Sequence, residues 1–298
     1  MSTISYRGRQ AVLATKHHKE KAIRRPLRAA VGLDVVVPPG LDTDLLGTFS
    51  GEVEREGAPG EVVVRKARMG MAETGYRLGI ASEGSFRPHA ELAFETGSHE
   101  LLAFVDDDAG VALVEDLFTV DTNFGNAKVR TFDELEGFLV RVGFPAHALI
   151  AAPNDRIKVG HDNRVRLVLD DVPEQQLFKG IADRDALAGV VARCAALSGD
   201  GIVHVETDMR AHLNPTRMRN IRRLAFRLAR RLATPCPSCA APGWGAVEVR
   251  RGAPCTDCGT FNPEAVAETM GCVHCGHRED EPRLNGQPCL ACRHAGDT

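Results

Sequence analysis

The chain has 298 residues, 43% hydrophobic and 26% charged, enough for one sizeable core plus a smaller module. No apolar run reaches the roughly 18 residues of a membrane span, and the opening Met-Ser-Thr-Ile-Ser-Tyr-Arg-Gly-Arg-Gln lacks a signal-peptide core, so a cytoplasmic protein with no membrane partner is expected. Residues 235–298 hold five arginines against eight Asp/Glu, a formal −3, which leaves residues 1–234 at zero; neither part has the basic excess that drives sequence-independent nucleic-acid binding.

In chain order, residues 10–14 read as a strand, followed by a basic helix over about 16–30 that Pro26 bends or ends early. Residues 32–37 form a second strand stopped by Pro38-Pro39-Gly40, and a strand–helix–strand unit of this size implies a parallel pair. The loop 41–60 is long enough to favour a functional role, and a helix over 60–73 and a strand over 76–81 follow it. Residues 100–105 and 111–120 pair as a hairpin around Asp106-Asp-Asp-Ala-Gly110. Thr131-Phe-Asp-Glu134 is a capping box opening a helix to about Val142. Residues 145–152 form a short helical or irregular apolar piece, and 165–169 and 177–181 are short strands. Asp183 caps a helix through Leu197, and 201–206 is a late strand.

The loop 208–214 then delivers Pro215 into the first turn of a helix whose Met218, Ile221, Ala225, Leu228 and Leu232 share one buried face. Most of its seven arginines read as a solvated, ion-paired surface, with Arg217 and Arg219 as ligand candidates beside Asp208, Arg210 and His212. The pattern is α/β with a mixed sheet.

Three short motifs concentrate the chemistry. Leu13-Ala-Thr-Lys-His-His-Lys-Glu20 leaves a strand and enters a helix at Thr15, with Lys19 four residues on. A helix N-terminus presents unpaired N–H groups and a positive dipole end, which suits an anion. Glu61-Val-Val-Val-Arg-Lys-Ala67 sets Glu61 and Lys66 about one and a half turns apart on a helix, and Gly79-Ile-Ala-Ser-Glu-Gly-Ser-Phe86 ends a strand with Glu83 between small residues. Together they describe a phosphate site with two acids for a divalent metal, because Mg²⁺ takes carboxylates plus substrate phosphate oxygens.

After residue 235, eight of the nine cysteines fall into four Cys-x-x-Cys pairs: Cys236/Cys239, Cys255/Cys258, Cys272/Cys275 and Cys289/Cys292. Two pairs make a tetrahedral thiolate set for one Zn²⁺, so residues 235–298 read as a double zinc ribbon holding two structural zinc ions. Pairing consecutive knuckles is simplest; a cross-braced pairing of first with third and second with fourth is the alternative. A site closed by four cysteines leaves no open coordination position, so the ribbons staple a tail too small to hold a core alone, or dock a protein partner.

The three N-terminal motifs resemble the phosphate-and-metal framework of the inosine-triphosphate pyrophosphatase-like superfamily, which includes the non-canonical purine nucleotide pyrophosphatases and the Maf proteins. Ala14-Thr15 and Lys19 match its strand-Thr-Lys motif, Glu61 and Lys66-Ala67 its Glu-Asn-Ala-x-x-Lys-Ala helix, and Gly79-Ile80-Ala81-Ser82-Glu83-Gly84 its strand ending in acids, with Ser82 where the family carries one acid. The whole chain also resembles bacterial zinc-ribbon proteins known as a domain of unknown function. The resemblance implies an ITPase-like (Maf-like) mixed-sheet α/β core over 1–234, and Mg²⁺- or Mn²⁺-dependent cleavage of a nucleoside triphosphate to monophosphate and pyrophosphate. In that scheme Glu61 and Glu83 hold the metal and act with Lys19 and Lys66. Thr15, Lys16, His17, Ser82, Ser85, Arg210, His212 and Arg217 receive the substrate. A non-catalytic nucleotide or phosphate-ligand sensor is the second expectation and a nucleic-acid-associated ribbon protein the third; a homodimer is compatible with each.

Overall fold

The computed structural model describes residues 4–15, 17–39, 58–88, 96–156, 158–159, 167–168, 174–255, 257–284 and 292. Strand β1 (Gln10–Ala14) leads into helix α1 (Glu20–Val31) and strand β2 (Asp34–Val36), and helix α2 (Pro59–Thr74) leads into β3 (Leu78–Pro88), β4 (Thr96–Asp106) and β5 (Val111–Thr119). These strands form one mixed sheet in the order β2-β1-β3-β4-β5. β1 runs parallel to β2 and β3, and β3, β4 and β5 continue antiparallel. Period-two alternation decides the faces. Ile80, Leu102 and Phe104 pack with α1 residues Ile23 and Leu27 in the larger core, whereas Ala81, Leu101, Ala103 and Val105 pack with Val63 and Ala67 of α2.

The chain continues through β6 (Asn126–Val129), α3 (Glu136–Val142), β7 (Leu149–Pro153), the two-residue strands β8 (Lys158–Val159) and β9 (Leu167–Val168), β10 (Phe178–Ile181), α4 (Arg184–Leu197), β11 (Val203–Thr207) and α5 (Pro215–Ala233). A second, antiparallel sheet runs β10-β7-β11-β6, and Phe138, Leu139, Leu187 and Val191 of α3 and α4 cover one face of it. Helix α5 returns to the first sheet, where Ile221, Leu224, Ala225 and Leu228 join the α1 core. Strands β12 (Gly245–Pro254), β13 (Phe261–Gly271) and β14 (Arg278–Leu284) make the antiparallel sheet of the cysteine-rich part. Ile4 packs with Cys236, Trp244 and Cys272, and the His274 ring meets the carbonyl oxygen of Ala109, so this sheet's knuckles lie against the α/β core. No helix among the described residues is long and apolar enough to cross a membrane.

Three expectations change. Helix α1 begins at Glu20, five residues after Thr15, so Thr15 lies in the connection, and Lys19 is the N-cap. Pro26 does not end α1; it is buried, and the helix runs on to Val31 because its amphipathic face is anchored by Ala22, Ile23 and Leu27. Residues 149–153 are a fully buried central strand, whose uninterrupted apolar run carries no alternation to announce it. The 131–134 capping box opens a 3₁₀ turn before α3, and most of the long loop over 41–60, with most of 165–169, lies outside the described residues.

Candidate functional site at the carboxyl end of the first strand

The parallel ladder between β1 and β3 stops at Ala14 opposite Ala81, while β3 continues to Pro88. Lys19, at the start of α1, reaches across this end. Its Nζ donates to the carbonyl oxygen of Ser82 at 3.2 Å and lies 2.8 Å from Ser82 Oγ. Neither partner is a carboxylate. Burial chiefly, and then the Arg217 charge, bring the Lys19 amine down to about 7.

Two buried ion pairs flank it. On the α2 face, Lys66 Nζ meets Glu83 Oε1 at 2.5 Å. On the α1/α5 face, Arg217 Nε meets Glu100 Oε1 at 2.6 Å and its Nη1 donates to the Met209 carbonyl oxygen at 2.5 Å. Gly84 makes room for that second pair: a Cβ there would sit 2.3 Å from Arg217 Nη2 and 2.6 Å from Glu100 Oε2. Arg217 is placed by α5, whose N-cap Asn214 accepts from the Arg217 amide at 2.9 Å.

The loop before α5 supplies the rim. Asp208 is fully buried and accepts from the Gly180 amide of β10 and from Arg210 Nη2 at 2.6 Å, a pair that holds Arg210 above its ordinary pKa. His17 stacks on His212 with ring centres 5.5 Å apart, and burial together with the Lys19 charge lowers His17 to about 4, which keeps it neutral. Thr15 Oγ1 is buried without a hydrogen-bond partner. Ser85 follows Glu83 on β3 and is half-buried; Lys16 lies outside the described residues.

Of the residues expected from sequence, Lys19, Ser82, Lys66, Glu83 and Arg217 therefore gather around the end of β1, and Lys19 feels the charges of Arg217, Glu100, Lys66 and Glu83 together. Arg219 does not join them; it is exposed and paired with Asp121. Glu61 is exposed at the third position of α2, where its carboxylate accepts from the Ala58 amide at 3.2 Å. Glu100 was missed. Its only sequence signal is an acid at the start of an otherwise apolar strand.

A divalent metal between Glu61 and Glu83 does not fit these groups. Glu61 is spent on the helix start, Glu83 faces the ammonium of Lys66, and Lys19 and Arg217 add positive charge. The cysteines are different. Cys236, Cys239, Cys272 and Cys275 bring their sulfurs within 4.8 Å of one another, and so do Cys255, Cys258 and Cys292. The Cys236–Cys275 and Cys239–Cys272 sulfur separations are 3.8 and 3.7 Å. A tetrahedron with Zn–S bonds of about 2.3 Å has edges of about 3.8 Å, so the first cluster has the size of a zinc site. Both clusters can hold zinc, with the first knuckle joined to the third and the second to the fourth. Consecutive pairing is thereby corrected: β13 crosses between the knuckles and carries the third back beside the first. Cys289 lies outside the described residues.

Among curated proteins none matches the chain. The family model described as a domain of unknown function, DUF6671, matches residues 66–286, a span that holds Lys66, Ser82, Glu83, Glu100, Asp208, Arg217 and the first cysteine cluster. It brings no inosine-triphosphate pyrophosphatase or Maf assignment, and at its own level it agrees with the sequence-based resemblance to a zinc-ribbon domain of unknown function: the chain belongs to the DUF6671 family.

Proposed function

We propose that the protein binds a phosphorylated small molecule, of the nucleotide class, with a phosphate seated at Lys19. The observation that carries this is an amine, 7% exposed, whose described hydrogen bonds go to a carbonyl and a hydroxyl of Ser82 and to no carboxylate. A buried charge without a counter-charge is costly, and an anion supplied by a ligand relieves that cost. The unpartnered Thr15 hydroxyl is a further group for a phosphate oxygen. The position also supports it, since open α/β sheets bind ligands beyond the carboxyl ends of their parallel strands. The nucleotide class rests on the resemblance of the 15–19, 61–67 and 79–84 motifs to nucleotide pyrophosphatases.

Binding stands ahead of hydrolysis because Glu61 and Glu83 do not form a metal pair. In this proposal the cysteine clusters hold two structural Zn²⁺ ions that fix the C-terminal sheet against the core, leaving its outer face for a protein partner.

The test is calorimetric titration of zinc-replete protein with inorganic phosphate, pyrophosphate and ordinary and deaminated nucleoside triphosphates. Each is run with and without Mg²⁺ or Mn²⁺, and pyrophosphate release is followed in parallel. Binding that weakens about tenfold or more in Lys19→Met is the expected result, the loss of one charge-assisted hydrogen bond. No binding across the panel ends the proposal, and metal-dependent pyrophosphate release would put hydrolysis back in first place.

A further inference from the structure

We infer that Ser82 and Lys19 form a nucleophile–base dyad, in which Ser82 Oγ takes a phosphoryl group from a phosphate ester or anhydride. This rests on the anion site proposed above and adds a covalent step to it.

The geometry is that of an activated hydroxyl. Ser82 Oγ lies 2.8 Å from Lys19 Nζ, within proton-transfer distance. The same nitrogen donates to the carbonyl oxygen of Ser82 at 3.2 Å. A neutral amine has two N–H donors and one lone pair. With one N–H fixed on that carbonyl, the lone pair is free to face the Ser82 hydroxyl and accept its proton. A lysine serves as a base only when its neutral form is populated near neutral pH, and burial at this site provides that condition. An acid hydrogen-bonded to Nζ would abolish it; the neighbouring carboxylates, Glu83 and Glu100, are engaged by Lys66 and Arg217 instead. Those two cations also place positive charge beside the position where negative charge develops on a phosphoryl oxygen.

The step balances without a metal or a redox partner. Ser82 Oγ forms a bond to phosphorus as its proton passes to Lys19 Nζ, and the bond from phosphorus to the leaving oxygen breaks. The Lys19 ammonium then returns that proton to the leaving oxygen. In the second half, neutral Lys19 takes a proton from water as the water oxygen attacks phosphorus, and Ser82 Oγ leaves and recovers a proton from Lys19. The sum is hydrolysis by one water. Ser82 is 3% exposed, so the segment that carries His17 and His18 must open to admit the phosphate; His18 holds a φ of 52° there, an unfavourable conformation for a side-chain-bearing residue.

The experiment uses p-nitrophenyl phosphate on the full, zinc-replete chain. Acid-quenched protein is mapped for phosphoserine, nitrophenolate release is timed, and binding of inorganic phosphate is titrated in the same samples. The dyad predicts a phosphoryl group at Ser82, formed at a rate that rises about tenfold from pH 6 to pH 8 as the amine loses its proton, and lost in Ser82→Ala and in Lys19→Met. Inorganic phosphate binding with no phosphoserine at 82 overturns the dyad and leaves the anion site standing. Phosphoserine that forms at an unchanged rate in Lys19→Met overturns the role of Lys19 as base. Absence of both phosphate binding and phosphoserine removes the dyad and the anion site together. Wild-type protein alone separates these last two failures from success, so the result does not depend on a variant folding.

Discussion

Lys19 Nζ sits 3.2 Å from the carbonyl oxygen of Ser82, one residue past the last rung of the β1–β3 ladder. The end of a parallel ladder leaves backbone groups without a strand to pair with, and here a side chain from the following helix supplies the partner. The same side chain gives the site its one amine bonded to no carboxylate among the described residues.

That amine ties stability to pH. Its pKa is about 7 in the folded chain against an ordinary 10.5, so between those values the unfolded chain binds more protons than the folded one. Stability therefore rises with pH across the window from about 7 to about 10, and the full penalty is present below it. Urea unfolding of the zinc-replete protein should show a gain of roughly 2–4 kcal/mol over this range. Lys19→Met should flatten it. Phosphate affinity should move the opposite way, since bound anion favours the ammonium: strongest below pH 7 and declining as pH rises. An unchanged slope in Lys19→Met would remove Lys19 as its source.

Gly84 is the only residue type that fits beneath the Arg217–Glu100 pair. Gly84→Ala puts a Cβ 2.3 Å from Arg217 Nη2, where two buried charged side chains and β4 leave no room to yield. The expected cost is about 1–3 kcal/mol, seen as a lower urea midpoint with the slope unchanged. Arg217→Ala alone should cost more, because it strands Glu100 without a partner in a site that is 0% exposed. Equal stability of Gly84→Ala and wild type would mean that the pair is not held across this strand.

Glu61 separates the two accounts of the site. As the acceptor for the Ala58 amide at the start of α2, it is worth about 0.5–1 kcal/mol, and Glu61→Ala should lose that much stability while leaving nucleotide or phosphate affinity within twofold. A metal ligand would behave differently. If Glu61→Ala abolished Mg²⁺-dependent binding, the carboxylate would have to leave the helix cap for the site.

Much of this arrangement was legible in the sequence, for identifiable reasons. The strands at 10–14 and 111–119 and the helices capped by Asp183 and Asn214 are announced by local chemistry. Lys19, Lys66, Ser82, Glu83 and Arg217 were singled out by spacing, and four of them flank Lys19 or touch it because β1, α2, β3 and α5 all present their ends here. What spacing does not reveal is which partner each charge chooses. Glu61 and Glu83 look alike as helix and strand acids, yet one caps its own helix and the other salt-bridges Lys66 across to α2. Glu100 looked like an ordinary strand residue, because burial by Arg217 depends on a contact across more than a hundred residues. The order of the knuckles was equally silent, since every pair carries the same Cys-x-x-Cys spacing and only the crossing of β13 decides between them.

The interleaved knuckles make a prediction in metal counts. Zinc-replete protein should hold two zinc ions, the second completed by Cys289 from outside the described residues. Cys236→Ser combined with Cys272→Ser should remove one ion, because both belong to the first cluster. Cys236→Ser combined with Cys255→Ser should remove both. Consecutive pairing reverses the two results, so metal analysis of these double variants decides between them. Tryptophan fluorescence gives an independent reading of where the loss occurs. Trp244, the single tryptophan of the chain, is buried against Cys236 and Cys272 and stacks on His277 with ring centres 5.5 Å apart. Loss of the first cluster should expose it and shift its emission to the red, and Cys258→Ser should leave that emission in place. A red shift equal in Cys236→Ser and Cys258→Ser would show the two clusters to be a single cooperative unit, because each would then be unable to hold its sheet without the other.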